Sequence, residues 1–567
     1  MSLMSNLFVG QSGLQTSQNA LNTTAHNMSN LDTTGYTRQQ VMQGDMHYNT
    51  VSKNPAAISY KQIGQGVVYS KVRQVRDVFL DQAYRRESGR SAYYTTSYET
   101  MSQVETILGE MHGATFNTSM DNIQRAIDEL AKKPTDSVVQ GLVIQRAAAF
   151  LESAQGVYQG LCDYQNNLNV QIKTDVEKMN EYGKQLFALN ERIVRVEAGG
   201  RETANDLRDA RNQILDELGA MARISYKEDS FGNVTVQLEG HDFVSRNMVF
   251  EMGVEQDNIT GFYTPFWKMD ASFTVDGNGN KHYNTEGAEV YNLRQTISSA
   301  SNTDIGSTKA KLLARGTKRA NYTDLLDENA YDKDISQSII MNMQAEFDQL
   351  IHAVTTKING ILAKAADPKT GYMCEKVMVN GEETYQPIQL FQKKASDGYT
   401  YNTNTEQWEY NEEFDKSKFK GGITDTENLY TTMNMIVNPA LLKEPTKLGL
   451  LRPDGKEDFA TAAELAKAFQ TEELNLNPNV KMKTNYADYY SDLVSQVGNT
   501  GSVLYKICQT QSDTVEATCY AREEVMGVSS DEEMTNMVKF QNAYNAASRY
   551  INVVNEMLAH LLNSLAG

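Results

Sequence analysis

The sequence predicts an α+β multidomain fold with three parts. These are a terminal α-helical coiled coil in which the N- and C-terminal helices pair, a long antiparallel helical bundle, and two inserted, mainly-β outer modules. Both chain ends are nearly free of charge, apolar residues recur every seven positions in several long stretches, and two blocks rich in turn residues interrupt the helical pattern. The 567 residues suffice for roughly three or four domains.

The chain ends carry far less charge than the rest of the protein. Asp32 is the one Asp, Glu, Lys or Arg among residues 1–37, and Glu556 is the one among residues 550–567, although 22% of the whole chain is charged. A solvated surface helix normally carries Lys and Glu on its outer face. Both ends therefore predict helices with little free solvent face.

A C-terminal helix is predicted from about residue 530 to about residue 565. Ser529 and Glu532 form a capping-box arrangement at its start. Two apolar series with seven-residue spacing, offset by three, run along it: Met537, Tyr544, Ile551, Leu558 and Leu565, and Phe540, Ala547, Val554 and Leu561. An unbroken seam of this kind over four heptads is typical of a left-handed coiled coil.

The N-terminal helix has a weaker pattern. Its apolar heptad consists of Leu7, Leu14, Leu21 and Met28, and the offset positions Gln11, Gln18 and Ala25 are largely polar. Such a helix buries too little apolar surface to be stable alone. We therefore expect the two ends to pair with each other and with the same ends of other copies. An intramolecular coiled coil without an assembly role is the alternative, and a membrane-surface helix would need a basic face that neither end has.

The stretch NMSNLDTTGYTRQ, residues 27–39, marks the end of the N-terminal helix. Asn27 and Asn30 are expected to cap carbonyl groups of the last turn or to bond to a neighbouring subunit. Gly35 allows the positive φ that a sharp turn needs. Tyr36 and Arg38 then lead the chain away from the helix. Together with the two heptad series, these residues form the predicted assembly interface.

Further helices are predicted between the ends, at about 138–198, 203–220, 335–363 and 485–525, and they indicate an antiparallel bundle. Alternating patterns with Gly-Asn turns at about 221–300, and Tyr/Thr/Asn-rich segments at about 367–436, predict inserted antiparallel strands. The predicted domains are nested: an inner terminal-helix domain (1–40 and 528–567), a helical bundle wall domain (41–220, 330–366 and 437–527), an outer β domain (221–329) and a second outer β module (367–436).

Little in the sequence points to catalytic, metal or cofactor chemistry. The four Cys and seven His show no metal-ligand spacing, and no nucleotide-binding or hydrolase motif is present. The run GQG at 64–66 is expected to open a strand, and DGNGN at 276–280 lacks the later residues of a calcium loop. A glycosidase-type carboxylate pair in a β module stays open as an alternative.

The charge balance bears on partners and location. The net charge of −19 opposes binding to nucleic acid and to anionic membranes. No run of about 18 apolar residues exists to span a bilayer. The first Lys or Arg is Arg38, so the N-terminus lacks the basic leader of a secretory signal, and we expect no cleaved signal peptide.

Both ends resemble those of a known superfamily. NALNTTAHNMSNLDTTGYTRQ (19–39) is similar to the N-terminal motif of bacterial flagellar axial proteins, and VKFQNAYNAASRYINVVNEMLAHLLN (538–563) is similar to their C-terminal motif. Rod and hook proteins share both motifs. Three further segments resemble the hook-associated protein 1 family: GVSSDEE (527–533), ANDLRDARNQILDEL (204–218) and VNPAL (437–441).

This resemblance implies a structural, non-enzymatic role in the bacterial flagellum. It implies type III export and assembly as a ring of copies that forms the first junction layer between hook and filament. The implied partners are the hook protein on one side, a second junction protein on the other, and a cytoplasmic export chaperone on the C-terminal helix. A hook or distal rod protein is the alternative of the same class. A flagellum-borne hydrolase or adhesin in an outer β module is the alternative of a different class.

Overall fold

The computed structural model describes residues 3–46, 49–53, 60–109, 116–200, 202–277, 281–379, 382–394, 399–402, 407–410 and 429–566. Within this part the chain is mostly helical with small antiparallel sheets, which confirms the predicted fold class. It divides into two compact units. The terminal unit comprises residues 1–91, 178–251 and 510–567, and the central unit comprises residues 92–177 and 252–509.

The helices confirm the predicted ones and add others. They are α1 (Leu3–Ser29), α2 (Val78–Leu108), α3 (Phe116–Lys132), α4 (Ser137–Glu197), α5 (Asn205–Met221), α6 (Ser307–Arg315), α7 (Glu328–Ala330), α8 (Ile339–Ala365), α9 (Pro439–Lys443), α10 (Phe459–Ala468), α11 (Tyr486–Met526) and α12 (Ser530–Ala566). The predicted helices at 138–198, 203–220, 335–363, 485–525 and 530–565 correspond to α4, α5, α8, α11 and α12.

Helix α2 was not predicted because its buried positions are largely polar. Asp81, Arg85, Ser97 and Thr100 are all less than 9% exposed, so the helix lacks the apolar stripe on which periodicity arguments depend. Such residues are stable in a protein interior when they find ionic or hydrogen-bonding partners. Those partners come from distant parts of the sequence and are invisible in a local pattern.

The strands form antiparallel pairs and one three-stranded sheet, β5–β6–β7. They are β1 (Gln39–Asp45), β2 (Asn49–Lys53), β3 (Tyr60–Ile63), β4 (Val67–Gln74), β5 (Ile224–Glu228), β6 (Val234–Leu238), β7 (His241–Val244), β8 (Met252–Gln256), β9 (Tyr263–Trp267), β10 (Ser272–Val275), β11 (Lys281–Asn284), β12 (Cys374–Val379), β13 (Glu382–Pro387), β14 (Phe391–Lys393), β15 (Tyr399–Asn402), β16 (Gln407–Tyr410) and β17 (Met435–Val437).

Strands occur in both blocks where the sequence predicts them, and also before α2. The pairs are β1–β4, β2–β3, β8–β9, β10–β11, β12–β13, β14–β17 and β15–β16. Strand β4 begins directly after Gly66, as the GQG run predicts. The end of the DGNGN segment and residues 411–428 of the second β block lie outside the described residues.

The sheet of the terminal unit is held to α4 by one amide side chain. Asn190, which is 3% exposed, donates from Nδ2 to the carbonyl oxygen of Val234 at 2.8 Å and accepts from the Val234 amide at 3.2 Å. Both backbone groups of Val234, the first residue of β6, are thereby satisfied by a side chain of α4. Closer to the start of α4, Gly183 lies so near Phe243 of β7 that an added Cβ would be 2.7 Å from Cζ of that ring.

Aromatic rings from α3, α4, α8 and α11 meet in the core of the central unit. The Phe116 ring lies 5.4 Å from that of Phe150, 5.0 Å from that of Phe347 and 4.9 Å from that of Tyr490, measured between centroids. Helix α8 starts at Ser338, whose hydroxyl accepts from the amide of Met341. Five apolar residues along this helix are all buried: Ile340, Met343, Leu350, Val354 and Ile358.

The same helix buries a carboxyl group that has no cation beside it. Glu346 is 0% exposed and accepts hydrogen bonds from Asn477 Nδ2 at 2.9 Å and Gln496 Nε2 at 3.1 Å. Burial raises the pKa of Glu346 from 4.5 to about 7, although these bonds act in the opposite direction. Because this pKa is raised, the group contributes stability that is fully present below pH 4.5 and is lost as the pH rises through 7.

We predict that Glu346→Gln makes the free energy of unfolding of the central unit less dependent on pH between 4.5 and 7. A glutamine side chain keeps an acceptor for the two amides and removes the buried charge. At pH 8 the free energy of unfolding should therefore rise by roughly 2–3 kcal/mol. Urea denaturation at several pH values measures this free energy. The control is Glu472→Gln at an exposed position, for which the free energy of unfolding should change by no more than about 0.5 kcal/mol. An unchanged pH profile in Glu346→Gln would contradict the prediction.

Candidate assembly interface

Helices α1 and α12 pack against each other in the terminal unit, so the predicted pairing of the chain ends is confirmed. The least exposed stripe of α12 is the predicted heptad seam. Val554 is 2% exposed, and the partly buried members are Met537, Phe540, Tyr544, Ala547, Ile551 and Leu558. Leu561 is 43% exposed at the end of the seam. The side chain of Leu565 lies outside the described residues.

Small residues, not leucines, form the most buried stripe of α1. The buried positions on this face are Gly10, Ser17, Ala20, Thr24 and Asn27. The predicted stripe of Leu7, Leu14, Leu21 and Met28 is only partly buried. Counting apolar residues missed this seam because Gly, Ser and Thr carry little hydrophobic weight. The signal that could have found it is the same three-four spacing, repeated in small residues.

Close packing of the two helices explains the glycines. A Cβ atom at Gly10 would lie 2.7 Å from Cγ1 of Ile551 and 3.1 Å from Cδ1 of Tyr550. A Cβ atom at Gly13 would lie 3.7 Å from Cβ of Ala547, which is an ordinary contact. The absence of side chains at these two positions lets the helix backbones approach closely.

The turn that follows α1 is closed by Asn30. Its Nδ2 atom donates to the carbonyl oxygen of His26 at 2.9 Å, and its Oδ1 accepts from the hydroxyl of Thr33 at 3.1 Å. Gly35 has a φ of +80°, as the sequence predicts. The rings of His26 and Tyr36 then meet edge to face at 5.6 Å. Of the two roles expected for Asn30, the structure shows the capping of a helix carbonyl.

Asn27 has a different role from the one predicted. It is 1% exposed and bonds to the backbone of Gln39 in both directions, from Nδ2 to the carbonyl oxygen at 2.9 Å and from the amide to Oδ1 at 3.0 Å. The hydroxyl of Tyr36 donates to the same Oδ1 at 2.7 Å. Burial, followed by nearby carboxylates, raises the pKa of Tyr36, so this hydroxyl stays a neutral donor. Asn27 therefore fixes the start of β1 to α1 within one chain.

Arg38 ties the turn to both flanking C-terminal helices. Its backbone amide donates to the carbonyl oxygen of Met526, the last residue of α11, at 2.8 Å. Its Nη1 atom donates to Oε2 of Glu532, in the first turn of α12, at 2.5 Å. The predicted capping box is therefore only half formed, since Ser529 Oγ accepts from the Glu532 amide at 3.5 Å while the Glu532 carboxylate binds Arg38.

Behind the turn lies a chain of buried and partly buried charges, which we call the ionic network (Arg76, Asp81, Arg85, Asp209, Asp216 and Arg522). Thr37 donates from its hydroxyl to Asp209 Oδ1 at 2.7 Å, and Gln74 Nε2 donates to the same oxygen at 2.7 Å. Arg76 Nη1 lies 3.8 Å from Asp209, and the Nε and Nη2 atoms of Arg76 donate to the two carboxylate oxygens of Asp81. Burial raises the pKa of Asp209 to about 6 despite these donors.

The other half of the ionic network joins α2, α5 and α11. Arg522 lies between two carboxylates, with Nε 2.9 Å from Asp81 and Nη2 2.8 Å from Asp216. Arg85 Nε contacts the second oxygen of Asp216 at 2.6 Å. The three cations and three anions alternate, so each buried charge has an opposite neighbour. The acids of α5 sit in the segment ANDLRDARNQILDEL, whose helical prediction gave no hint of this role.

The cysteines show no sign of reactivity. Burial raises the pKa of the thiols of Cys162 and Cys374 to about 11, so both are neutral at physiological pH. Among the residues that the structure describes, no group of three His, Cys, Asp or Glu is placed to hold a metal ion. No helix in that same part of the chain has the length and apolar character needed to cross a membrane.

Family models match three stretches of the chain. The model of the flagellar hook-associated protein FlgK helical domain matches residues 101–371. The model of the flagellar basal body rod FlgEFG protein C-terminal region matches residues 522–565, and that of the flagella basal body rod protein matches residues 7–37. The two rod-type matches coincide with most of α12 and α1, the paired helices.

Curated relatives match over almost the whole chain. The flagellar hook-associated protein 1 of Bacillus subtilis (strain 168) is 24% identical over 585 residues, covering 99% of each chain. The protein of the same name from Escherichia coli (strain K12) is 23% identical over 570 residues, covering 97% of this chain and 98% of the relative. The chain belongs to the flagellar hook-associated protein 1 family.

A solved structure has the same fold as this chain. The flagellar hook junction protein FlgK from Burkholderia pseudomallei superposes with a TM-score of 0.52 at 12% sequence identity, covering 78% of this chain and 100% of that chain. Members of the family are structural components of the extracellular flagellum and not enzymes. The predicted structural role and flagellar location are therefore confirmed.

We predict opposite effects of two alanine substitutions on the helix pair. Gly10→Ala places a methyl group against Ile551 and should weaken the pair by about 1–3 kcal/mol. Gly13→Ala meets only an ordinary contact and should strengthen α1 by about 0.5–1 kcal/mol, because glycine is unfavourable within helices. Hydrogen exchange of α1 and α12 amides in the full-length chain reads out both effects. Equal exchange in the two variants would show that the glycines do not set the helix separation.

Proposed function

We propose that this chain forms the first junction layer between the hook and the filament of a bacterial flagellum, and that copies assemble as a ring through α1 and α12. One observation carries the proposal: an apolar stripe of α12 beside the seam is exposed. Tyr550, Val553 and Met557, together with Leu561 at the end of the seam, are 41–53% exposed, and their three- and four-residue spacing places them on one helix face.

A contiguous exposed apolar stripe is unusual on a protein that stays a solvated monomer. Phe8 of α1 is 66% exposed as well, and the only charged residue within the last 18 is Glu556. Burial of a large apolar side chain is worth roughly 1.5–3 kcal/mol. Four such residues on every copy therefore favour association strongly, and the low charge of the chain ends removes the repulsion that would oppose it.

We propose that the terminal helices become fully ordered only on assembly. The α1 stripe of small residues contributes little apolar burial, so the helix pair depends on the surface that neighbouring copies cover. In this proposal residues 1–40 and 528–567 line the inner tube. Residues 41–220, 330–366 and 437–527 form the wall, and 221–329 and 367–436 form the outer β modules.

Three further partners belong to the proposal. The hook protein would lie on one side of the ring and a second junction protein on the other, and the family name supports a position near the hook. Before assembly, a cytoplasmic export chaperone would cover the C-terminal helix. The exposed stripe of α12 is the surface that needs such cover, because free apolar faces promote aggregation.

A hook or distal rod protein is a weaker candidate for this chain. The rod-type models match only residues 7–37 and 522–565, whereas the helical-domain model of the hook-associated protein matches residues 101–371. The shared ends account for the rod-type matches. The interior of the chain therefore favours the junction role.

Deletion of the gene tests the role in the cell. We expect cells with hooks but without filaments, and flagellin released into the medium, because filament subunits would lack their attachment layer. Electron microscopy of the hooks and immunoblotting of the medium measure these outcomes. Re-expression of the unchanged chain should restore filaments, and normal filaments in the deletion strain would sink the proposal.

The stripe itself is tested by Val553→Ser combined with Met557→Gln. Both side chains are about half exposed, so the isolated chain should keep its helical circular dichroism. We expect loss of filament attachment in cells, because neighbouring copies lose the apolar surface that they bury. Asn552→Gln with Asn555→Gln, on exposed polar positions of the same helix, is the matched control. Equal motility of the two double variants would argue against the stripe as a subunit contact.

A further inference from the structure

The terminal unit contains a cleft of about 500 Å³ between the end of β4, strand β5 and the start of α5. Its charged lining is strongly basic. Two acidic residues, Asp81 and Glu228, face six basic ones: Lys71, Arg73, Arg76, Arg208, Arg211 and Lys227. In a chain whose net charge is −19, a basic cleft runs against the overall composition.

Both acids of the cleft are already engaged by arginines. Asp81 binds Arg76 and Arg522 in the ionic network. Glu228 lies 2.7 Å from Arg208 Nη1 and 3.1 Å from Arg211 Nη2. They therefore have little capacity left to balance further cations.

Three cations of the lining remain uncompensated. Lys71, Arg73 and Lys227 are exposed, and none of them has an acidic partner among the described residues. Arg73 contacts a neutral acceptor, Oε1 of Gln40, at 3.2 Å. Unpaired cations on one wall of a cleft raise the local potential and attract anions.

The start of α5 also lies at the cleft, which Thr203 and Asn205 line. The N-cap residue Ala204 gives the first turn no side-chain hydrogen bond, but its own amide donates to the Glu197 carboxylate at 3.0 Å. Glu197 also lies 2.7 Å from Arg208 Nε, so the positive potential of this helix end is balanced within the chain.

A buried arginine of α5 supplies the independent sign of a missing ligand. Arg211 is 1% exposed and lines the cleft, and its Nε atom has no hydrogen-bond partner. Burial lowers the pKa of Arg211 to about 10, although Nη2 lies 3.1 Å from Glu228 and Nη1 donates to the carbonyl oxygen of Gly232 at 2.6 Å. An unsatisfied buried donor costs free energy that an anionic ligand would recover.

We infer that this cleft binds carboxylate groups from an acidic segment of a second copy of this chain. The volume exceeds that of a single small anion and lies in the range of sites for larger ligands. The chain has 72 Asp and Glu against 53 Lys and Arg, so its own surface is the nearest source of carboxylates. Neighbouring copies in an assembly reach high effective concentration. The assignment of a second copy as the occupant rests on the proposed ring assembly. The assignment of the cleft as an anion-binding site does not.

A labelled hexaglutamate peptide tests the site on the full-length protein by fluorescence anisotropy. Lys71→Gln, Arg73→Gln and Lys227→Gln are combined in the cleft variant. The control combines Lys467→Gln, Lys481→Gln and Lys483→Gln, which are exposed residues of the central unit. We expect binding that weakens with added salt, and affinity about tenfold lower in the cleft variant only. Circular dichroism verifies that both variants fold. No binding by the unchanged chain, or equal binding by both variants, overturns the inference.

Competition with inorganic phosphate distinguishes a site for the carboxylates of a peptide from a site for a small free anion. We expect phosphate to displace the peptide only at much higher concentration, because it occupies a fraction of the cleft. Displacement at similar concentrations would make this a small-anion site and would overturn the carboxylate assignment.

Expression in the deletion strain separates this inference from the proposed function. We expect the cleft variant to give fewer attached filaments than the control variant. Equal filament numbers would overturn the contact between copies and leave the junction role standing. Filaments in the deletion strain itself would contradict the junction role, and the peptide-binding result would still stand.

Discussion

The ionic network of the terminal unit fixes the relative positions of three regions that are far apart in the sequence: the end of β4 with α2, helix α5 and helix α11. Arg76 follows β4, Asp81 and Arg85 belong to α2, Asp209 and Asp216 to α5, and Arg522 to α11. A buried charge without an opposite neighbour is strongly destabilising, so each segment is held where its partner is. Thr37 joins this network directly, and the turn that ends α1 therefore has a defined place.

The helix pair obeys a different physical rule. Within the chain, α1 presents small residues to α12, and α12 presents its heptad seam in return. This contact is close, the large apolar residues Leu7, Leu14, Leu21 and Met28 of α1 are only partly buried, and the stripe around Val553 and Met557 stays in solvent. The terminal unit thus combines an ionic network that needs no partner with a helix pair whose apolar surface is completed by neighbouring copies, as we propose.

Electrostatics adds specificity to that apolar association. Charge-poor helix ends associate without a preferred angle, since apolar contacts are not directional. Cations at a fixed cleft, with α5 carrying Arg208 and Arg211 behind them, would set the angle between copies by binding carboxylates at one place. Helix α5 therefore contributes Asp209 and Asp216 to the ionic network and Arg208 and Arg211 to the lining of the cleft.

The sequence by itself determined the long helices other than α2, the pairing of the ends and the seam of α12, because a heptad of large apolar residues is a local pattern. It also determined the turn at Gly35, because only glycine readily takes that φ. Tertiary structure alone decided the small-residue seam of α1, the polar helix α2, the hold of Asn27 on Gln39 and the bond from Arg38 to Glu532. Most of these depend on partners hundreds of residues away or on close backbone approach, and the bonds between Asn27 and Gln39 span a turn of twelve residues. None of them leaves a periodic apolar signal.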